Sequence, residues 1–336
     1  MSLRLRLLVF AVGAAVFAYL VSRIGLHEIA QDFRRAGWAI VPVVLLWVPI
    51  YLCWAAAWHL TMADAPSRPS FGRALVITVS SFAMNAITPF AQVGGEPFRA
   101  GAVSQWMGAQ RATGSVVTYY MLHALSNILL WLAGVAVAFI AFTPPAALVI
   151  PMILASAVMA GLIAWLFAAH RGGVVAPLAR LVGRIPGLGR LSRRLDARAA
   201  WIEEVDRLIT GFYHGSPGRF FLALGTDFLG RCLMMVEYWL IARGIGLEVS
   251  LLQAFVIGTF VTLVVNVLFF FPMEVGVKEG SLYALFHVVG LDPSLGVFAA
   301  IFQRLRELAW IAVGLGLVWY AGRQDRPRGS TSSSLP

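Results

Sequence analysis

The chain of 336 residues is 60% hydrophobic and only 12% charged, and its formal net charge is +10. This composition excludes a water-soluble globular domain and indicates a polytopic membrane protein. The basic excess predicts membrane topology rather than nucleic-acid binding, since Arg and Lys collect on cytoplasmic loops. The two cysteines lie in apolar runs, so the sequence predicts neither a disulfide framework nor a metal site.

Long apolar segments predict about six membrane spans in an all-α protein. They comprise residues 7–21, 38–62, 116–142, 146–169, 220–242 and 295–320. Trp38 and Trp58, at the ends of the second segment, are typical of residues at a membrane interface. The amino end, the 170–219 segment and the tail are rich in Arg, so both termini are expected in the cytoplasm.

The basic segment 170–219 is predicted to hold an amphipathic helix over 195–212 that lies on the anionic cytoplasmic surface of the membrane. The alternative is an arm that binds a partner or gathers lipid. Residues 1–322 are expected to form a single integral membrane domain that includes this segment. Residues 323–336, which are basic and then rich in Ser, are expected to form a disordered cytoplasmic tail.

A polar stretch precedes the third predicted span. Pro89 is expected to end the helix before it, because proline lacks an N–H and clashes with the preceding turn. Gly94 and Gly95 allow a tight turn or a close approach of the backbone. Glu96 and Arg99 follow at i,i+3 spacing, so they are predicted to lie on one face of the next helix.

A second stretch, residues 266–280, repeats the same order of Asn, Pro, Val-Gly and Glu. The spacing from Pro to Glu is identical, from Pro89 to Glu96 and from Pro272 to Glu279. Two broken apolar segments at corresponding places predict a transporter-like site between inverted repeats. We therefore expect two re-entrant helical hairpins, related by a weak inverted repeat, in addition to the spans. The alternative is two kinked membrane helices with ordinary charged ends.

Charged side chains at membrane depth are costly, by roughly 2.5–3.5 kcal/mol each on insertion scales, and they usually mark a functional site. We expect the polar residues of the two stretches to bind substrate: Asn85, Gln92, Gly94, Gly95, Glu96, Arg99, Asn266, Glu274, Gly276, Lys278 and Glu279. Charges on neighbouring spans are expected to support them: Asp227, Arg231, Arg304 and Glu307. A purely structural polar core is the alternative.

The residue types suggest a charged lipid headgroup as ligand. Arg99 with Lys278 would bind a phosphodiester, while Glu96 with Glu279 would pair with an amine or a sugar hydroxyl, or carry a proton. No nucleotide-binding or zinc-protease motif is present, so we predict no catalytic residue, cofactor or metal. His123 and His287 lie in apolar runs and are expected to be satisfied core or interface side chains.

The two stretches resemble the signatures of a known family. Ala-Gln-Val-Gly-Gly-Glu at 91–96 resembles the first signature of the flippase-like superfamily named after the transmembrane region of lysylphosphatidylglycerol synthases. Val-Gly-Val-Lys-Glu-Gly at 275–280, followed by Arg-Leu-Arg-Glu at 304–307, resembles the second. The resemblance extends from the first span to Tyr320, and its nearest branch comprises small membrane proteins associated with hopanoid biosynthesis. Glu274 departs from the pattern, in which a small residue is expected.

This resemblance implies a bacterial inner-membrane protein that moves an amphipathic lipid between leaflets. Its partners would be membrane lipids and, alternatively, proteins of lipid biosynthesis. The synthases carry a soluble aminoacyl-transfer domain after the membrane part. Here the chain ends shortly after the last span, so no aminoacyl transfer is expected. Two rival hypotheses stay open: an intramembrane enzyme acting on a polyprenyl-phosphate or glycolipid, and a non-transporting scaffold of a lipid-biosynthesis complex.

Overall fold

A computed structural model describes residues 37–87, 94–142, 146–172, 199–244, 246–268, 274 and 276–324. Within these ranges every regular element is a helix, which confirms the predicted all-α fold. The first predicted span, most of the 170–198 segment and nearly all of the predicted tail lie outside the described residues.

The described helices are α1 (Ile40–Thr61), α2 (Phe71–Ile87), α3 (Gly95–Ala141), α4 (Ala146–Gly172), α5 (Ala199–Gly215), α6 (Pro217–Gly244), α7 (Leu251–Val267), α8 (Val277–Val288) and α9 (Pro293–Gln324). Gly108 interrupts α3 with a φ of 77°, which divides it into α3a (95–107) and α3b (109–141). By length and apolar composition, two described helices can cross a membrane, Gly37–Thr61 and Gly95–Ile140. Helices α6 and α9 are also long, but they carry the buried charges described below.

Both predicted helix breaks are confirmed. Helices α2 and α7 each have 17 residues, and the next described helix after each is a short one, α3a or α8. The two members of each pair pack against each other. A left-handed glycine ends each motif, Gly108 with φ 77° and Gly290 with φ 76°, before a long helix begins. The two halves of the chain therefore repeat one order of elements.

The two halves of the chain pack against each other through pairs of helices. Helix α1 lies along α6, α2 packs against α9, and α7 packs against α3. Glycines allow the contacts of α2 with α9 and of α7 with α3. A Cβ added to Gly314 of α9 would lie 2.8 Å from the Val79 carbonyl oxygen of α2. A Cβ added to Gly134 of α3b would overlap Thr259 of α7. Val79 and Thr259 occupy the same position in their helices, so the two contacts correspond.

The amphipathic helix of the basic segment is confirmed as α5, but its surroundings differ from the prediction. Its apolar face, with Val205, Ile209 and Phe212, is buried against α3 and α4. We expected this face to lie on lipid, and that was wrong. The apolar period of a helix requires an apolar neighbour but does not distinguish membrane from protein.

Candidate functional site

The charges of the second stretch form a network between α8 and α9. Lys278 lies in the first turn of α8 and is 8% exposed. Its Nζ is 2.6 Å from Oε1 of Glu307 on α9 and 3.2 Å from Oε2 of Glu274. Two carboxylates therefore neutralise the single lysine of the chain. The predicted phosphate ligand Lys278 binds its own neighbours in this conformation.

Glu279 joins the helix break to α9. Its Oε2 accepts a 2.8 Å hydrogen bond from the backbone N–H of Gly276, and its Oε1 accepts one of 3.1 Å from Nε of Arg304. Gly276 adopts a left-handed conformation, with φ 79°, that glycine takes without steric cost. Arg304 also lies 3.5 Å from Glu307 through Nη1. The predicted supporting residues Arg304 and Glu307 thus contact the predicted binding residues.

Glu274, which stands where a small residue was expected, has an unusual backbone conformation. Its φ is 56°, in the left-handed region that costs a non-glycine residue roughly 1–2 kcal/mol. A small residue, glycine above all, would relieve that cost. In this chain the ion pair with Lys278 offsets it.

A second buried pair, which we did not include among the predicted site residues, joins α6 to α9. Arg306 donates from Nε and Nη2 to the two carboxylate oxygens of Glu237, at 3.0 and 3.2 Å. Trp47 Nε1 donates to the same carboxylate at 3.2 Å, and the guanidinium carbon of Arg306 lies 3.9 Å from the Trp47 ring centroid. The sequence did contain a signal, because a charge inside an apolar span requires a partner.

The first stretch has a different charge balance. Arg99 on α3a is 5% exposed, and its Nε and Nη1 are buried without a hydrogen-bond partner. Its guanidinium carbon lies 4.9 Å from the ring centroid of Trp58, 4.8 Å from Tyr119 and 5.8 Å from Tyr120. Oε2 of Glu96 is also buried without a partner. Arg99 makes no ion pair with any carboxylate in the described part of the chain.

The start of α3a is held against the end of α2. Oδ1 of Asn85 accepts a 2.6 Å hydrogen bond from the backbone N–H of Gly95. A Cβ on Gly95 would lie 2.6 Å from the Ser81 carbonyl oxygen, so glycine is required for this approach. Asn85 and Gly95 therefore fix the position of the helix that carries Arg99.

The other predicted residues are placed as follows. Gly94 immediately precedes α3a, and Gln92 lies outside the described residues. Asn266 is exposed near the end of α7, where its Nδ2 donates to the Thr262 carbonyl oxygen at 2.8 Å. The structure does not bring Asn266 to the charges, and its amide is used by its own helix.

A buried polar cluster lies beside Arg99, between α3b and α6. Nδ1 of His123 is 2.8 Å from Oδ1 of Asp227, whose side chain is fully buried. Arg231 lies 3.4 Å from Asp227 through Nε, and it donates to Oδ1 of Asn127 at 2.8 Å and to the His123 carbonyl oxygen at 2.7 Å. The predicted pairing of Asp227 with Arg231 is confirmed. His123, which we expected to be a satisfied core or interface residue, has a charged partner.

Aromatic residues on one face of α1 connect these charges. They are Trp47, Tyr51, Trp54 and Trp58. Trp47 contacts Arg306 at one end, Trp54 packs on the His123 ring at 5.4 Å, and Trp58 contacts Arg99 at the other end. Trp58 is 0% exposed, so its ring is packed inside the protein. The buried Arg99 guanidinium attracts this ring.

The comparisons with known proteins agree with this architecture. The pattern of the lysylphosphatidylglycerol synthase TM region family matches residues 6–316. The chain belongs to this family. Two UPF0104 membrane proteins of Methanothermobacter thermautotrophicus are similar to it: one is 22% identical over 94% of this chain and 95% of its own length, the other 25% identical over 82% and 81%. No solved structure matches the chain.

Membership of the lysylphosphatidylglycerol synthase TM region family makes the chain a membrane protein, and its long apolar helices accord with that. Among the described residues, no group of three or more His, Cys, Asp or Glu side chains is arranged to hold a metal ion. At this site two guanidinium nitrogens of Arg99 and one carboxylate oxygen of Glu96 are buried without a hydrogen-bond partner, and the His123 imidazole lies beside them.

Proposed function

We propose that this protein moves a phosphate-containing amphipathic lipid between the leaflets of a bacterial inner membrane, through a site that lies between its two broken-helix motifs. The observation that carries the proposal is the buried guanidinium of Arg99, which has aromatic neighbours but no carboxylate partner in the described residues. A buried charge without a partner is strongly unfavourable, and an anionic ligand would supply the missing partner.

A phosphate group suits this position for two reasons. Hydrogen bonds from a guanidinium to phosphate oxygens are charge-assisted, and Nε and Nη1 of Arg99 are buried donors without a partner. The N-terminus of α3a, beginning at Gly95, adds positive potential close by. The unpartnered oxygen of Glu96 would accept from an amine or hydroxyl of the same headgroup.

The cations of the second motif are paired, unlike Arg99 of the first motif, and this difference supports a transport cycle. Its cations already have carboxylate partners, with Lys278 bound to Glu274 and Glu307, and Arg304 bound to Glu279. Transporters built from two repeats alternate between conformations in which the repeats exchange roles. One motif with an available cation and one with its cations neutralised is the pattern expected of a single conformation in such a cycle.

The membrane orientation belongs to the same proposal. The arginine-rich amino end, 170–219 segment and tail favour cytoplasmic termini. The resemblance to the hopanoid-associated branch suggests that hopanoid-type lipids belong among the candidate substrates. Movement would be downhill or coupled to an ion, since the sequence contains no nucleotide-binding motif.

The test is leaflet exchange in proteoliposomes that contain the purified protein and labelled phospholipids, aminoacyl lipids or hopanoid-type lipids. Loss of one charge-assisted contact of about 1.5–3 kcal/mol predicts that Arg99→Gln slows exchange by about 10–100-fold. Glu96→Gln and Lys278→Ala are also expected to slow it. Arg111→Gln is the matched control, because Arg111 is an exposed arginine of the same helix.

The rival hypotheses predict different results from the same preparation. An intramembrane enzyme would produce a chemically altered lipid, which mass spectrometry of the recovered lipids would detect. A scaffold would give no exchange with any lipid, and folded Glu96→Gln and Lys278→Ala proteins would keep their function in cells. Absence of exchange across the panel, with folding verified, would refute the transport proposal.

A further inference from the structure

We propose that His123 is the proton-binding group of this protein, and that it takes up a proton when an anionic headgroup binds at Arg99. The inference rests on the proposed function, because it requires an anion at Arg99. It makes the transported species a lipid together with a proton. The cluster of His123 with Asp227 and Arg231, and its contact with the Arg99 site, support it.

The hydrogen bonds of His123 leave one ring nitrogen available. Nδ1 lies 2.8 Å from the Asp227 carboxylate, so the hydrogen on Nδ1 is donated to Asp227. Nε2 has no hydrogen-bond partner in the described part of the chain, and the His123 side chain is 25% exposed. The Nε2 lone pair can therefore accept a proton, which converts the imidazole to an imidazolium without breaking any other bond.

The Asp227 carboxylate stabilises the positive charge that this protonation places inside the protein. Its carboxylate is fully buried, and it contacts His123 at 2.8 Å and Arg231 at 3.4 Å. Arg231 is held by Asn127 and by the His123 carbonyl oxygen, so the Asp227–Arg231 pair has a fixed geometry. The nearer carboxylate oxygen then faces the imidazole, where it stabilises the protonated form.

Tyr119 connects His123 to the headgroup site. Its ring lies 4.8 Å from the guanidinium carbon of Arg99 and 5.3 Å from the His123 ring, and its hydroxyl is 3.4 Å from Nδ1 of His123. With the site empty, a protonated His123 would face the positive Arg99 across one ring. An anion at Arg99 removes that repulsion and favours protonation. By linkage, protonation then strengthens anion binding by the same factor.

The other charged and titratable groups around His123 lie on α1, α3 and α6. The charged and titratable ones are Asp227 and Arg231 on α6, Arg99 and Glu96 on α3a, Tyr119 and Tyr120 on α3b, and Cys53 on α1. Histidine is the side chain whose charge normally changes in this range. His123 is therefore the group expected to couple proton uptake to binding.

The experiment measures proton uptake on lipid binding. The detergent-solubilised full chain is titrated with dihexanoyl phosphatidylglycerol, below the micelle concentration of the lipid, in calorimetry between pH 6 and 8. Two buffers with different heats of ionisation give the number of protons taken up. We expect net proton uptake on lipid binding within this range, and an affinity that falls as pH rises.

Two variants complete the design. His123→Gln keeps a donor for Asp227 but cannot take up a proton, so its uptake should vanish and its affinity should no longer change with pH. His287→Gln is the matched control, because His287 is an exposed histidine at the end of α8. Equal uptake in His123→Gln and the native protein would overturn the inference.

The result in the native protein separates the two proposals without any variant. Lipid binding with no proton uptake would refute the role of His123 and leave the headgroup site at Arg99 standing. No binding, together with no leaflet exchange, would refute the proposed function and this inference with it. Uptake that persists in Arg99→Gln would show that the proton is not linked to the headgroup site, which also overturns the inference.

Discussion

Glu237→Gln should strongly destabilise the protein, because it leaves the buried Arg306 without its carboxylate partner. Glu237 and Arg306 are 2% and 3% exposed. Two N–H bonds from the guanidinium are lost or weakened, at about 1.5–3 kcal/mol for each bond to a charged group. Breaking a buried ion pair by removing one partner costs about 3–5 kcal/mol, in agreement with that sum. Glu307, 3.8 Å from Arg306, is too distant to replace the bidentate contact.

Reversible unfolding in mixed detergent micelles, followed by circular dichroism, measures this free energy. Glu204→Gln is the matched control: it removes an acid whose partner Arg207 is 75% exposed, so the expected loss is less than about 1 kcal/mol. The double variant Glu237→Gln/Arg306→Met should recover most of the loss, because it removes the unpaired cation. A loss below about 1 kcal/mol for Glu237→Gln, or a double variant no more stable than the single one, would refute the reasoning.

Three further predictions concern the backbone and can be checked by the same unfolding measurement. Gly95→Ala should lower the free energy of unfolding by about 1–3 kcal/mol, because its Cβ would collide with α2. In the control Gly101→Ala, on the same helix, the added Cβ has no neighbour, so the stability of the protein should stay the same or rise slightly. Gly134→Ala should cost a similar 1–3 kcal/mol at the contact of α3b with α7, with Gly161→Ala as the open-space control, and equal stabilities would contradict the packing. Glu274→Gly should relieve left-handed strain but lose an ion pair, so we expect a change within about 1 kcal/mol and slower lipid exchange; a loss above about 2 kcal/mol would mean that the ion pair matters more to stability.

The helix breaks could be predicted because their causes are local. A proline inside a helix lacks an N–H and clashes with the preceding turn, which favours a break, although Pro49 lies within α1. Glycines permit the turn that follows. The repeated order of Asn, Pro and Glu then indicated that both halves carry the same motif. Glu274, Lys278 and Glu279, which belong to the network between α8 and α9, were predicted for that reason.

Charge partners that lie far apart in the chain could not be predicted. His123 is the clearest case: its carboxylate partner Asp227 is 104 residues away. The i,i+4 spacing already gave Asp227 a partner in Arg231, so nothing in the sequence required a second one. The structure places His123 closer to Asp227 than Arg231 is.

The apolar face of α5 was misplaced for a related reason. The sequence assigned this face to the membrane surface, and the fold buries it within the protein. In a membrane protein an apolar side chain gains little by leaving lipid for protein, so hydrophobicity does not decide between the two. The contacts that do decide are polar, such as the approach of Arg99 to the Trp58 ring.

The types of cation on α8 and α9 distinguish contacts that should stay fixed from contacts that should change. Arg306 binds Glu237 through two atoms of a planar fork, a geometry that allows one partner in one orientation. Lys278 instead shares a compact ammonium between Glu274 and Glu307, and a flexible stem lets it exchange one carboxylate for another. In the proposed cycle, α6 and α9 would therefore move together as one unit, while Lys278 would release a carboxylate when the second motif accepts the headgroup.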